Sequence, residues 1–163
     1  MTPKIFRNYP TFRYGEKIHL INQYQYGNKS YLDTCGMSSC SGQYFVQTSV
    51  SPDRHSGSGT WEIKSATGTK IGKLVKNGDK IHLMNQHGTK SYLDTCGSSI
   101  YASEKYALQT SISHNRKSGS GTWEIKSATG ANIGGMVKNG DKIHLINQHG
   151  TKSYLDTCGG SSG

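Results

Sequence analysis

Short runs of alternating apolar and polar residues recur along the chain, separated by turn residues. In KIHLINQ, Lys17–Gln23, the alternation puts Ile18 and Leu20 on one side of a strand and Lys17 and His19 on the other, and Ile81/Leu83 and Ile143/Leu145 repeat it. Each copy ends in Asn-Gln and a glycine-containing turn. SYLDT then predicts a second strand, with Leu32, Leu93 or Leu155 as its inward anchor, and the two strands are expected to pair as a hairpin. YFVQTSV (Tyr44–Val50) and YALQTSI (Tyr106–Ile112) alternate again and predict third strands. GTWEIKS follows a Ser-Gly-Ser-Gly turn and predicts a fourth, with Trp61 and Ile63, and Trp123 and Ile125, on its core side.

The pattern is a repeat. GTWEIKSATG at Gly59–Gly68 returns unchanged 62 positions later at Gly121–Gly130, and VKNGDKIHL moves from Val75–Leu83 to Val137–Leu145 by the same step. A divergent relative, FRYGEKIHL, sits at Phe12–Leu20, and KSYLDTCG occurs at Lys29–Gly36, Lys90–Gly97 and Lys152–Gly159. The repeat units are 12–74, 75–136 and a partial 137–163, within one β domain spanning 1–163. No hairpin of this size buries its apolar face alone, whereas pseudo-equivalent units can close a barrel together. The expected fold is all-β, a β-trefoil-like barrel of pseudo-threefold repeats of about 62 residues with the last repeat truncated. The third unit lacks its final two strands; PKIFRNY at Pro3–Tyr9 is a candidate for one of them, and a second chain completing the barrel is another solution. A β-sandwich or a repeat-swapped homodimer is the alternative architecture.

The unit resembles those of β-trefoil lectins and the related MIR and fascin-like trefoils, in which a G-D-x-I-x-L strand is followed by Y-L and later by W-x-I. SYLDTCG together with RHSGSGTWEI or RKSGSGTWEI also resembles the repeats of cyanobacterial water-stress and extracellular-matrix proteins. That second resemblance implies secretion and association with matrix polysaccharide.

Composition agrees with a turn-rich β protein: 32% hydrophobic residues, 21 glycines and 10 tyrosines in 163 residues. The apolar runs are a few residues long, too short to span a bilayer. The N-terminal MTPKIFRNYPTFRYGE lacks the apolar core of a secretory signal, so the chain is mature, exported by another route, or intracellular, with an extracellular location favoured by the matrix resemblance. Nineteen Lys and Arg against 10 Asp and Glu give a formal charge of +9, which favours polyanions. The basic residues are dispersed singly, and no helix-turn-helix, zinc-finger or RNP-like pattern accompanies them, so specific nucleic-acid recognition is not expected.

The repeated hairpins carry the candidate chemistry. A sugar site needs a carboxylate or amide for paired hydroxyls and an aromatic face for the C–H side of the ring. Each unit offers this set: Tyr31 and Asp33 with Asn22 and Gln23, Tyr92 and Asp94 with Asn85 and Gln86, and Tyr154 and Asp156 with Asn147 and Gln148. Alternation puts each Tyr and Asp on the face opposite the anchoring Leu. The same Asp also serves to fix a strand-end turn, and identity between copies also follows from duplication.

His19, His82 and His144 are equivalent, but alternation points them away from the Ile and Leu anchors and hence to the surface. His87 and His149 have no counterpart in the first unit, where Tyr24 follows Gln23, so no metal site and no cofactor are expected. Cys35, Cys96 and Cys158 follow the repeat, and only Cys35 and Cys40, in CGMSSC, are spaced to pair locally. The sequence identifies no positioned base for a cysteine nucleophile and no unique acid pair for a glycosidase, so catalysis is not expected.

Three classes of function follow. The first is a multivalent, lectin-like carbohydrate-binding protein, in which repeated weak sites gain avidity. The second is a structural or matrix protein that binds acidic polysaccharide through its basic surface. Salt separates these two, because counterion-driven binding collapses as ionic strength rises. An enzyme, the third, lacks a candidate centre.

Overall fold

The computed structural model describes residues 11–24, 29–37, 43–98 and 106–157, the side chains of Met37 and Ser98 excepted. Among these residues there are nine strands and no helix: β1 (Lys17–Ile18), β2 (Tyr31–Met37), β3 (Tyr44–Ser49), β4 (Trp61–Ser65), β5 (Lys80–Asn85), β6 (Tyr92–Ser98), β7 (Tyr106–Ser111), β8 (Trp123–Ser127) and β9 (Ile143–Asn147). Among the described residues no helix is long and apolar enough to cross a membrane. The segment PKIFRNY, together with Cys40 and Cys158, lies outside the described residues.

The architecture is all-β and β-trefoil-like. A curved wall runs β1, β4, β5, β8, β9, every pair antiparallel. Trp61 pairs with Asn85 and Ile63 with Leu83, and the second copy repeats this register as Trp123 with Asn147 and Ile125 with Leu145. Two hairpins, β2–β3 and β6–β7, cap the wall and touch through Phe45 and Gln109.

The three units meet around a common axis. The amide of Phe12 donates to the carbonyl of Val137 at 3.0 Å, that of Val137 to Val75 at 3.0 Å, and that of Val75 to Phe12 at 2.9 Å. These residues hold the same place in their units, so the backbone closes a cyclic triangle that ties the opening of each unit to the other two. Below it lies one core of Trp61, Trp123, Ile63, Ile81, Ile125, Leu83, Leu93 and their neighbours. Each indole fills the centre and satisfies its N–H: Trp61 Nε1 donates to the carbonyl of Leu32 at 2.9 Å, and Trp123 Nε1 to Leu93 at 3.1 Å.

Two expectations change. The SYLDT strand takes its main partner from the strand that follows it: β2 pairs with β3 over Tyr31–Met37, whereas its contact with KIHLINQ is a single bridge, Ile21 to Tyr31. In the second unit β5 meets β6 only at Met84 and Tyr92. The reason is division of labour, since KIHLINQ is already paired with the Trp strands of the wall. SYLDT is also buried on both faces, with Leu32, Asp33 and Thr34 all buried in succession. In the third unit the equivalent of that strand is reduced to a bridge between Ile146 and Tyr154.

Candidate functional site

In the first two SYLDT strands the face opposite the anchoring leucine is built around the aspartate. Asp33 and Asp94 are both 0% exposed. A buried carboxylate needs a partner, and arginine supplies it from the loop ahead of the Trp strand. Arg54 Nε donates to Asp33 Oδ2 at 2.9 Å and its Nη2 to the carbonyl of Thr34 at 2.7 Å. Arg116 does the same to Asp94 and Thr95, at 2.9 and 2.8 Å. Asp94 has a further donor in Gln109 Nε2, 3.0 Å away. The remaining oxygen, Oδ1 of each aspartate, is buried without a hydrogen-bond partner among the described residues.

A second hub stands beside it. The carbonyl of Ser58 accepts from the amide of Thr34, from Thr34 Oγ1 and from Asn85 Nδ2. Asn85 Oδ1 in turn accepts from the amide of His87 at 3.0 Å. Ser120, Thr95, Asn147 and His149 repeat the arrangement. Asn85 and Asn147 are fully buried and thus link the Ser-Gly-Ser-Gly loop to the turn carrying the histidine.

Gly57 is required where these pieces meet. Its φ is +87°, and a Cβ there would lie 2.6 Å from the carbonyl carbon and oxygen of Gln86; Gly119 stands equally close to Gln148.

On the outer side of this frame are two equivalent pockets. One, of about 250 Å³, is lined by Thr34, Cys35, Tyr44, Arg54, His55 and His87 among others. The other, of about 160 Å³, is lined by Thr95, Tyr106, Arg116, Lys117, Ser120 and His149 with Gly97. In each the tyrosine packs against the histidine ring, Tyr44 on His87 at 5.5 Å and Tyr106 on His149 at 5.6 Å between centroids. His87 Nδ1 lies 3.1 Å from the carbonyl of Ser56, and His149 Nδ1 2.7 Å from that of Ser118. A carbonyl only accepts, so Nδ1 carries a proton, and the tautomer with that single proton leaves Nε2 as an acceptor. Burial raises the pKa of Cys35, partly offset by Arg54 and reinforced by Asp33, so the thiol in the first pocket stays protonated.

The sequence-derived residues distribute unevenly around these pockets. Asp33, Asp94, Asn85 and Asn147 lie directly behind them, in the frame. Gln86 and Gln148 cap carbonyls on their own strands, those of Met84 and Ile146. Asn22 fixes a turn by accepting from the amide of Tyr24, and Gln23 is exposed. Tyr31, Tyr92 and Tyr154 stand edge-on to His19, His82 and His144. Asp156 is exposed and accepts from the amide of Thr157, because no described arginine stands over it. The aspartates expected to hold sugar hydroxyls are therefore covered by arginine in two units and open in the third.

His82 departs from its expected surface position. It is 8% exposed, with Nδ1 2.7 Å from the carbonyl of Gly121 and its ring against Tyr92 and His114. Burial lowers its pKa, His114 lowers it further, and the Gly121 carbonyl pulls the other way. The face opposite the Ile and Leu anchors is closed by the following loop, which alternation within one strand does not reveal. Among the described residues no three His, Cys, Asp or Glu side chains converge as a metal set.

Alternation and motif spacing do not single out Tyr44, Tyr106, Arg54 and Arg116. One signal marks the arginines: in SPDRHSGSG and SHNRKSGSG the flanking Pro52, Asp53 and His55 are replaced by His114, Asn115 and Lys117, while Arg persists.

No protein-family model matches the chain, and no curated protein matches it in sequence. Solved structures do match in shape. An SDF2-like protein from Arabidopsis thaliana aligns with a TM-score of 0.69 at 22% identity, over 89% of this chain and 77% of that one. A Caenorhabditis elegans protein of unknown function aligns with a TM-score of 0.70 at 19% identity, over 91% and 79%. The Saccharomyces cerevisiae protein O-mannosyltransferase Pmt1–Pmt2 complex bound to its sugar donor aligns with a TM-score of 0.59 at 12% identity, over 95% of this chain and 22% of that one. At these identities the likeness is one of fold, and the fold it shows is β-trefoil-like.

Proposed function

We propose that the chain is a single-domain, non-catalytic, multivalent glycan-binding module, and that its equivalent sites are the pockets at Tyr44/Arg54/His87 and Tyr106/Arg116/His149. The observation that carries this reading is the duplication: the same tyrosine, arginine and histidine meet at two places on one rigid frame. Each pocket offers N–H donors from a fixed guanidinium, an imidazole acceptor, a phenol and an aromatic edge. Sugar hydroxyls need donors and acceptors together, and the ring's C–H face packs on an aromatic surface. The hollows are smaller than the about 300–1,000 Å³ of drug-sized ligand sites, which suits one sugar unit at a time and makes multivalency the route to affinity.

In this reading Asp33, Asp94, Asn85 and Asn147 are positioning residues behind the pockets. Gln86 and Gln148 adjoin the pocket histidines in sequence, while Tyr31, Tyr92 and Tyr154, with Asn22, Gln23 and Asp156, are not among the residues that line the two pockets. A stretch covering 22% of the chain matched in the sugar-donor complex shares this fold, which supports a glycan-related role. The test is a glycan array read at low and at moderate salt, with the intact chain beside a Tyr44→Ala/Tyr106→Ala variant. Binding to a defined glycan set that the double variant loses supports the proposal; equal binding by a folded double variant overturns it.

A further inference from the structure

The two pockets share a backbone and differ in charge. The amides of His55 and Lys117 donate to Oγ of Ser58 and of Ser120, both at 2.9 Å, so the two side chains start from the same place. Each lines its own pocket. Behind them the Arg54–Asp33 and Arg116–Asp94 pairs cancel alike. The loops do not. Asp53 accepts from the amides of Gly57 and Gly59, whereas Asn115 caps Gly121 without a charge. With histidine neutral, Asp33, Asp53 and Arg54 leave the first site at −1, and Asp94, Arg116 and Lys117 leave the second at +1. The same scaffold therefore presents fields two charges apart.

We propose that the pockets are not interchangeable: the one at Arg116 and Lys117 selects a sugar bearing an anionic group, a carboxylate or a sulfate ester, and the one at Arg54 and His55 takes an uncharged sugar. This rests on the glycan-binding reading above and adds its specificity determinants, Lys117 and the Asp53/Asn115 pair. The guanidinium of Arg116 is held by Asp94 and Thr95 through Nε and Nη2, which keeps its remaining N–H donors fixed for an anion while Lys117 supplies the unbalanced charge. Beside the first pocket the Asp53 carboxylate, next to Arg54 in the loop, opposes an anion, and position 55 carries no lysine to offset it.

The experiment is an amide NMR titration of the intact chain with sodium sulfate at constant ionic strength. It is followed by matched uronic, sulfated and neutral disaccharides, which separate carboxylate from sulfate as the group preferred. Sulfate is expected to move the amides of Lys117–Ser120 and leave His55–Ser58 in place. Lys117→His should weaken that response about fivefold, the scale of one exposed charge interaction, and Asp53→Asn/His55→Lys should create it at the first pocket. Equal responses at both loops, or a folded Lys117→His variant with undiminished sulfate binding, overturn the proposal. Disaccharides binding both pockets without regard to charge overturn it while sparing the glycan-binding reading. Selective sulfate binding with no disaccharide bound does the reverse, sustaining the anion selectivity and removing the glycan reading.

Discussion

Arg54 lies over Asp33 with Nε 2.9 Å from Oδ2, and this pair closes the first hairpin onto the loop that precedes the Trp61 strand. Truncating the arginine leaves a fully buried carboxylate without its cation. Fully buried pairs lose about 3–5 kcal/mol on such a cut; the Arg54 side chain is 35% exposed, so Arg54→Ala is expected to cost about 2–3 kcal/mol. Arg116→Ala should cost less, because Asp94 keeps the Gln109 amide. Urea unfolding of the two variants checks the order, and a larger loss for Arg116→Ala contradicts it.

His82 makes stability depend on pH in a stated direction. Its folded pKa is lowered below the ordinary value of 6.5, so below about pH 6.5 the unfolded chain takes up a proton that the folded chain resists. This contribution is complete above that pH and is lost as pH falls toward the lowered folded value. His82→Gln removes the titration, and it should flatten the fall in urea midpoint between pH 7 and pH 5 relative to the parent chain. Parallel curves for the two would show that His82 contributes nothing to the slope.

Legibility in the sequence tracked the range of the interaction. The Trp61/Ile63 and Trp123/Ile125 strands and the Leu32 and Leu93 anchors follow from period-two alternation, and the trefoil-like organisation follows from the repeat. Alternation did not give the pairing of SYLDT, because two strands adjacent in sequence need not be each other's main partner when a third competes. Nor did it give the pocket, where Tyr44 and His87 come from different units and meet only once the units pack. Asp33 reads as an exposed polar residue on a half-buried strand until Arg54, twenty-one positions away, covers it. Comparing the two loops with each other, where arginine persists among changing neighbours, carries that information.

The close approach of the Ser-Gly-Ser-Gly loop to the histidine turn separates two kinds of glycine. Gly57→Ala places a methyl 2.6 Å from the Gln86 carbonyl at a φ of +87°, and it combines left-handed strain with backbone overlap. The expected loss is about 2–4 kcal/mol, with the His87 turn pushed outward. Gly36 has a φ of +53° and nothing within 4 Å of a new Cβ, so Gly36→Ala should cost only about 1 kcal/mol. Thermal denaturation of the pair decides this, and similar losses at both positions would mean that the contact with Gln86 is not what requires Gly57.

Two pockets on one frame make affinity depend on how the ligand is presented. On a glycan-coated surface, where both pockets engage, loss of one converts bivalent into monovalent attachment and forfeits an avidity gain of about 10²–10⁴ when the geometry permits simultaneous binding. Tyr44→Ala and Tyr106→Ala are each expected to lower surface retention by about a hundredfold on a surface displaying sugars for both pockets. In solution, with a short oligosaccharide that occupies one pocket, the same variants should lose the corresponding site and leave the affinity of the other unchanged. Surface plasmon resonance paired with titration calorimetry reads both regimes. Equal losses on the surface and in solution would show that the pockets do not act together, since avidity disappears when the ligand is monovalent and an intrinsic defect does not.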